Sequence, residues 1–265
     1  MSMTTALPPG QLTGSVLFYS QPEPLNRETH GNLGLKRLDK PFAFAATTQV
    51  VPLTVGEFPL AALSFPIIFA GEQHQPLAVM GLNANENMFV NDGGFESGVY
   101  VPAYIRRYPF VLANDPQREQ LVVCIDRAAP MLGELPDLAF FDDKGEPTEY
   151  TKGCIQFCQD FETEVRRTES FCNLLRELDL FETRKATHTP VLPGGGQGEP
   201  QTIAEYFAVS EAKMKALPDA KIRELLDNGA LAQIYAHLTS LIGWDRLIAL
   251  AIVRQNRPPP PANLN

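Results

Sequence analysis

Residues 99–110 read VYVPAYIRRYPF and set two adjacent arginines, Arg106 and Arg107, between Tyr104 and Tyr108. Arginine beside aromatic rings is suited to anion binding: the guanidinium offers a planar fork of donors to a carboxylate or phosphate, and a ring face attracts the cation. The same pattern fits one arginine paired in the core and one in water. Read as an extended strand, the stretch places Tyr100, Pro102, Tyr104 and Arg106 on one face, with Val101, Ala103, Ile105 and Arg107 on the other. Arg107 is then expected at the rim of an apolar face, paired with a carboxylate. Arg106, stacked beside Tyr104, becomes the candidate for an anionic ligand, and which of the two is structural stays open at this level.

A second polar candidate is GLNANENMFVND, residues 81–92. Asn83, Asn85 and Asn87 bracket a tight turn between apolar segments, because asparagine tolerates the left-handed region and caps turns with its side chain. The alternatives are a plain hairpin and a polar ligand site. Asn83, Asn85, Asn87, Tyr100, Tyr104 and Arg106 together form the candidate ligand-binding set. No catalytic residue is assigned. A rival, enzymatic reading draws on Tyr104, Arg106, Asp126 and His237, acting without a metal on a peptide-like or aromatic substrate.

Other chemistry-bearing residues read as structural. Cys154, Cys158 and Cys172 fall on one helix stripe, and with Cys124 they lack the paired spacing and fourth ligand of a zinc site, so buried thiols are expected. His30, His74 and His188 fall in expected loops. His237 sits near the apolar face of its helix as a core imidazole held by hydrogen bonds. No metal and no cofactor are expected: the chain has no HExxH, no nucleophile elbow, no P-loop, and no strand ahead of its GGGQG run at 194–198. Asp142-Asp143 lies in a turn.

The net charge of −9, from 22 Lys and Arg against 31 Asp and Glu, argues against nucleic acid as a partner. The opening MSMTTALPPGQLTGS lacks the basic and apolar regions of a secretory signal, and the apolar C-terminal stretch is interrupted by His237, Gly243, Asp245 and Arg246. No membrane insertion and a cytoplasmic location are expected.

These residues must be positioned by an α+β fold, mainly antiparallel sheet in the N-terminal half and helical in the C-terminal half. Strands are expected at Ser15–Tyr19, Ala43–Val51, Ile67–Phe69, Leu77–Gly81, Asn87–Val90, Tyr100–Ile105 and Gln120–Ile125, with a short helix over Val55–Leu63 and a turn at 141–147. Cys154, Cys158, Phe161, Val165, Thr168, Cys172 and Leu175, spaced by fours and threes, predict an amphipathic helix over Thr151–Leu180. Residues 183–203 read as a loop. Ser210 caps a helix, Pro218 starts a second, Asn228-Gly229 ends it, and helices follow at Ala230–Leu241 and Trp244–Asn256. The organisation is therefore a flexible 1–14, a β-rich 15–150, a helical 151–256 packed on the sheet as one domain, and a disordered 257–265.

The ordered segments VPLTVGEFPLAALSFPIIF, GLNANENMFV, VYVPAYIRRYPF, LVVCID, FDDKGEPT and SEAKMKALPDAKIRELLDNGALAQIYAHLTSL resemble the bacterial SapC family over about residues 45–245. Phe95 stands where that family tends to carry a tryptophan. The resemblance brings no catalytic residues with it. It implies an accessory role near uptake or modification of a substrate; the polar and aromatic residues themselves add a peptide-like or anionic ligand, and a further alternative is a protein partner met through the helical half.

Overall fold

The computed structural model describes residues 17–115, 120–190 and 196–255. The expected flexible start, Ser15 and Val16 of the expected Ser15–Tyr19 strand, part of the GGGQG run and the C-terminal tail lie outside them, while Leu17 and Phe18 form a turn and Tyr19 is irregular rather than strand. The strands are β1 (Pro22–Pro24), β2 (Leu33–Leu35), β3 (Val50–Pro52), β4 (Ile67–Ala70), β5 (Gln75–Val79), β6 (Val90–Asn91), β7 (Gly94–Phe95), β8 (Phe110–Asp115), β9 (Gln120–Asp126), β10 (Leu132–Glu134), β11 (Leu138–Ala139), β12 (Phe181–His188) and β13 (Gln201–Val209). The helices are α1 (Arg27–His30), α2 (Phe58–Ala61), α3 (Ala103–Arg106), α4 (Glu149–Glu177), α5 (Glu211–Lys215), α6 (Asp219–Asp227), α7 (Ala230–Ser240) and α8 (Gly243–Gln255).

Every strand pair is antiparallel. Among the described residues the strands form a five-stranded sheet in the order β12-β13-β4-β5-β3, two three-stranded sheets (β1-β9-β8 and β10-β2-β11) and the β6-β7 hairpin. Central strand β4 reads IIFA, residues that pack well on a pleated surface, and Ile67 and Phe69 are fully buried.

The α+β reading therefore holds, and α4 carries it. Cys158, Phe161, Thr168, Cys172 and Leu175 are buried along the stripe that spacing picked out. Thr148 caps the helix, its side chain accepting the Thr151 N–H. One cluster of buried apolar residues joins Phe58, Phe65, Phe69 and Phe89 of the N-terminal half to Phe161, Leu175, Leu225, Ile234 and Leu247 of the C-terminal half. Burying such side chains contributes about 1.5–3 kcal/mol each, so the two halves hold one another in place.

Three further expectations are corrected. Tyr100–Ile105 is not a strand: residues 100–102 are irregular, Ala103–Arg106 makes one helical turn, and the strand begins at Phe110. Proline biases its predecessor toward extended backbone, here Val101, and the turn starts directly after Pro102. Residues 183–203 are not a loop throughout, since β12 and β13 pair from Phe181↔Val209 to His188↔Gln201. Periodicity missed them because β12 is an edge strand with charges on both faces and only Phe181 and Ala186 buried. Ala43–Val51 contains a 3-10 turn, Ala43–Ala45, with strand only from Val50.

The C-terminal helices start and stop close to where caps place them, with Gly229 left-handed at φ 78° after α6. Taken as one stretch, Ala230–Arg254 is long and apolar enough by composition to cross a membrane. A turn at Leu241-Ile242 divides it, and Ile234, Leu247 and Ala251 are buried in the core.

Candidate functional site

The site is organised from a carboxylate that local sequence reading passed over. Glu57 is 6 % exposed and accepts from four donors: Thr54 N–H at 2.8 Å, Thr54 Oγ1–H at 2.9 Å, Tyr100 Oη–H at 3.0 Å and Ala103 N–H at 2.6 Å. It thereby satisfies an otherwise orphaned donor at the start of α3. The helical turn in VPAYIRR is thus fixed by a residue 46 positions away, which alternation within the segment has no means of reporting.

Arg106 ends that turn and is exposed. Its Nε–H donates to Val101 O at 2.9 Å and its Nη2 donates to Tyr100 Oη at 3.2 Å. The guanidinium also lies 5.1 Å from the Phe157 ring centroid and 5.8 Å from that of Tyr100. Burial, followed by the neighbouring Glu57 carboxylate, pushes the Tyr100 hydroxyl up to about 12. Tyr100 stays a neutral donor that links Arg106 to Glu57.

Arg107 turns inward and is 7 % exposed. It stacks 4.2 Å over Tyr104 and 4.5 Å over Phe161, with Tyr19 at 5.9 Å. Its carboxylate partner is Glu162, at a loose 3.9 Å, and its Nε has no hydrogen-bond acceptor among the described residues. The ring beside Arg106 is therefore Tyr100, not Tyr104. Tyr104 is buried beneath Arg107, and its burial raises the hydroxyl pKa above the usual tyrosine value.

The asparagines do not converge with these groups. Asn83 and Asn85 are exposed in the turn, Asn85 left-handed at φ 61°, and Asn83 donates to Glu86 at 3.1 Å. Asn87 is buried, donating to Ala45 O at 3.0 Å and accepting from Phe89 N–H at 2.9 Å. It joins two loops and offers no free amide to a ligand.

Arg106 instead opens onto a groove of about 370 Å³. Its lining is largely apolar: Leu35, Leu38, Phe42, Phe44, Ile105, Tyr108 and Met131, the last held beside Leu35 by the Lys36 N–H to Met131 O bond at 2.8 Å. Phe44 lies 4.4 Å from Tyr108, and Phe95 packs edge-on against Phe42 at 5.1 Å, so Phe95 supports the groove wall. Lys36, Arg37 and Arg106 supply three cations to the lining, which contains no Asp or Glu. None of the three forms an ion pair among the described residues. Asp137 is close by, but it accepts the Arg37 backbone N–H at 2.8 Å. On a chain of net charge −9 the groove is a local positive exception.

Lys36, Arg37, Phe42, Phe44 and Met131 were missing from the sequence candidates. The run LGLKRLDKPF at 33–42 carried the signal, a basic cluster set among apolar residues. Its closure against Tyr108 and Met131 is a tertiary event.

The other polar groups are engaged structurally. Asp126 is buried and accepts from Tyr108 Oη–H at 3.0 Å, Gln21 N–H at 2.8 Å and Ser20 N–H at 3.2 Å. His237 is buried between Ile67 O, which accepts its Nδ1–H at 2.9 Å, and Val209 N–H, which donates to its Nε2 at 3.1 Å. Desolvation lowers its pKa to about 4. Tyr104, Arg106, Asp126 and His237 thus each have their own partners and share no hydrogen bond. His30 is buried at the end of α1 and pairs with Glu23 at 2.8 Å, where a loop was expected. Cys124, Cys158 and Cys172 are buried, and their thiols are pushed up by desolvation, to about 11 for Cys124 and about 12 for the other two.

A smaller depression of about 240 Å³ lies at the far end of the large sheet, around His74, Phe181 and Phe207. Its carboxylates are paired, Asp179 with Lys213 and Glu182 with Arg184, and Arg176 donates to the Gln73 side chain at 3.0 Å. His74 is stacked on Phe181 at 4.0 Å.

The SapC family, compared as a sequence model, matches residues 25–247. No curated protein and no solved structure matches the chain.

Proposed function

The chain belongs to the SapC family, and we propose that it is a soluble, cytoplasmic accessory or binding protein whose ligand joins an anionic group to an apolar or aromatic body. The ligand lies in the groove between Phe42, Phe44 and Tyr108, with Arg106 meeting its charge. One observation carries this reading: an apolar groove lined by three cations and no carboxylate, on an acidic chain. Clefts of a few hundred Å³ with apolar walls and a few convergent polar groups are the usual form of a small-molecule site. The alternative, a metal-independent enzyme acting on a peptide-like or aromatic substrate, has less support here. The lining holds no serine, threonine, cysteine or histidine, and burial, followed by the Asp126 carboxylate to which it donates, keeps the proton on the Tyr108 hydroxyl.

The test is calorimetric titration of the full chain with 4-phenylbutyrate at low salt. The parent should bind, and Arg106→Ala should bind about tenfold more weakly, equivalent to about 1.4 kcal/mol. Absence of binding to the parent, or equal binding by the variant, rejects the assignment.

A second reading concerns the helical half, where Tyr235, Ile242, Ile252 and Val253 are exposed. These residues would carry a protein partner. Sedimentation velocity across a hundredfold concentration range tests the simplest case, a second copy of the chain.

A further inference from the structure

We propose that the groove selects a small phosphate monoester with an alkyl or aryl body over a carboxylate of the same size. This rests on the groove being the ligand site and names the class of ligand.

The cations decide the head group. Lys36 and Arg37 follow β2, Arg106 ends α3, and all three line the groove. A carboxylate brings one negative charge and two coplanar oxygens, so it leaves most of the charge on this lining uncompensated. A phosphate monoester brings close to two charges near neutral pH and three terminal oxygens, which can engage donors from more than one of these side chains. Arg106 has already committed its Nε–H and one Nη2–H, the side-on fork, to Val101 and Tyr100. It presents only its end-on hydrogens, and further neutralisation falls to Lys36 and Arg37.

Lys36 is placed for that task. Its stem lies across Gly133, where an added Cβ would meet Lys36 Cε at 2.4 Å and Nζ at 2.7 Å. The glycine leaves room for the side chain to cross it. An ammonium on a flexible stem acts as a point charge that follows a phosphoryl oxygen. Phe42, Phe44 and Met131 then accept the apolar body, and about 370 Å³ restricts that body to a small one.

The experiment compares 3-phenylpropyl phosphate, 4-phenylbutyrate and inorganic phosphate on the full chain by calorimetry at pH 7.5 and 5.0. At pH 7.5 the ester should bind at least tenfold more tightly than the carboxylate and than inorganic phosphate. The lining holds no histidine or carboxylate, and the acids that face it from neighbouring elements are Glu57 behind Tyr100, Asp39 beside Leu38, Asp137 at the Arg37 amide and Asp126 behind Tyr108. The ester's own second ionisation, with a pKa near 6, should therefore bring its advantage below threefold at pH 5.0. Lys36→Gln combined with Arg37→Gln should do the same at pH 7.5. Gly133→Ala, which alters no charge but displaces Lys36, should reduce the preference at least twofold.

Equal or better binding of the carboxylate at pH 7.5 overturns the phosphate class while leaving the anionic-ligand reading intact. Inorganic phosphate binding as tightly as the ester removes the apolar body from the proposal. If neither organic probe binds the parent, the proposal and the reading beneath it both fall. Sedimentation with phosphatidic acid vesicles under conditions where 3-phenylpropyl phosphate does not bind places the head group on a membrane and overturns the small-ligand form.

Discussion

Arg106, exposed at the groove, reaches the buried carboxylate of Glu57 through one hydroxyl: Tyr100 Oη accepts from Arg106 at 3.2 Å and donates to Glu57 at 3.0 Å. Arg106 is thereby tied to the group that starts its own helix, because Glu57 also holds Ala103 N–H. Glu57→Ala leaves that amide, the Thr54 amide and the Tyr100 hydroxyl without their buried acceptor. The expected loss is about 3–5 kcal/mol in urea unfolding. Glu57→Gln, which keeps one acceptor oxygen, should lose less.

The two arginines separate by role. Arg106→Ala removes two surface hydrogen bonds and should change stability by less than about 1 kcal/mol. Arg107→Ala empties a stacked position between Tyr104 and Phe161 and strips Glu162 of its buried partner, so it should cost about 3 kcal/mol or more. Arg107→Met restores apolar volume against the same rings and should recover part of that loss. Thermal unfolding of the three variants decides the assignment, and a destabilised Arg106→Ala beside a stable Arg107→Ala reverses it.

His237 ties stability to pH. Its folded pKa, lowered to about 4 by burial, lies below the unfolded value near 6.5, so between those values the unfolded chain binds the extra proton. The contribution is fully present above pH 6.5 and is lost as pH falls toward 4. From pH 7.5 to 5.0 the parent should lose about 2 kcal/mol from this group. His237→Gln should start less stable and show a correspondingly flatter profile over that range, and an equally steep one assigns the loss to other groups.

The thiols report core integrity. Cys124, Cys158 and Cys172 are buried, with thiol pKa values of about 11 to 12, and Cys154 is half-buried with its thiol also raised by burial. Thiolate is the reactive form. Native protein at pH 8 should react with a disulfide reagent far more slowly than a free thiol does, while the chain in guanidinium should titrate four thiols promptly. Rapid native labelling of Cys158 or Cys172 contradicts their placement on the inner face of α4.

What was legible in the sequence follows the range of the interactions involved. The α4 stripe, the Asn228-Gly229 stop and β4 are set by residues within a turn or two of one another, and each lies close to where spacing places it. The helical turn at Ala103–Arg106 depends on Glu57, the β12-β13 pairing on backbone hydrogen bonds between charged strands, and the groove on Met131 and Tyr108 closing against Phe42 and Phe44. Alternation gave Arg107 a carboxylate partner, which Glu162 supplies, but it exchanged the rings, because a helical turn does not put Tyr104 and Arg106 on one face. Arg106 and Tyr100 belong together, whereas Asn87 belongs to the core.

The most direct measurement is amide chemical-shift mapping of the full chain during titration with 4-phenylbutyrate. Shifts should concentrate at residues 35–44, 105–108 and around 131, and they should largely disappear in Arg106→Ala. Shifts centred instead on His74 and Phe207, or none at saturating probe, contradict the groove as the ligand site.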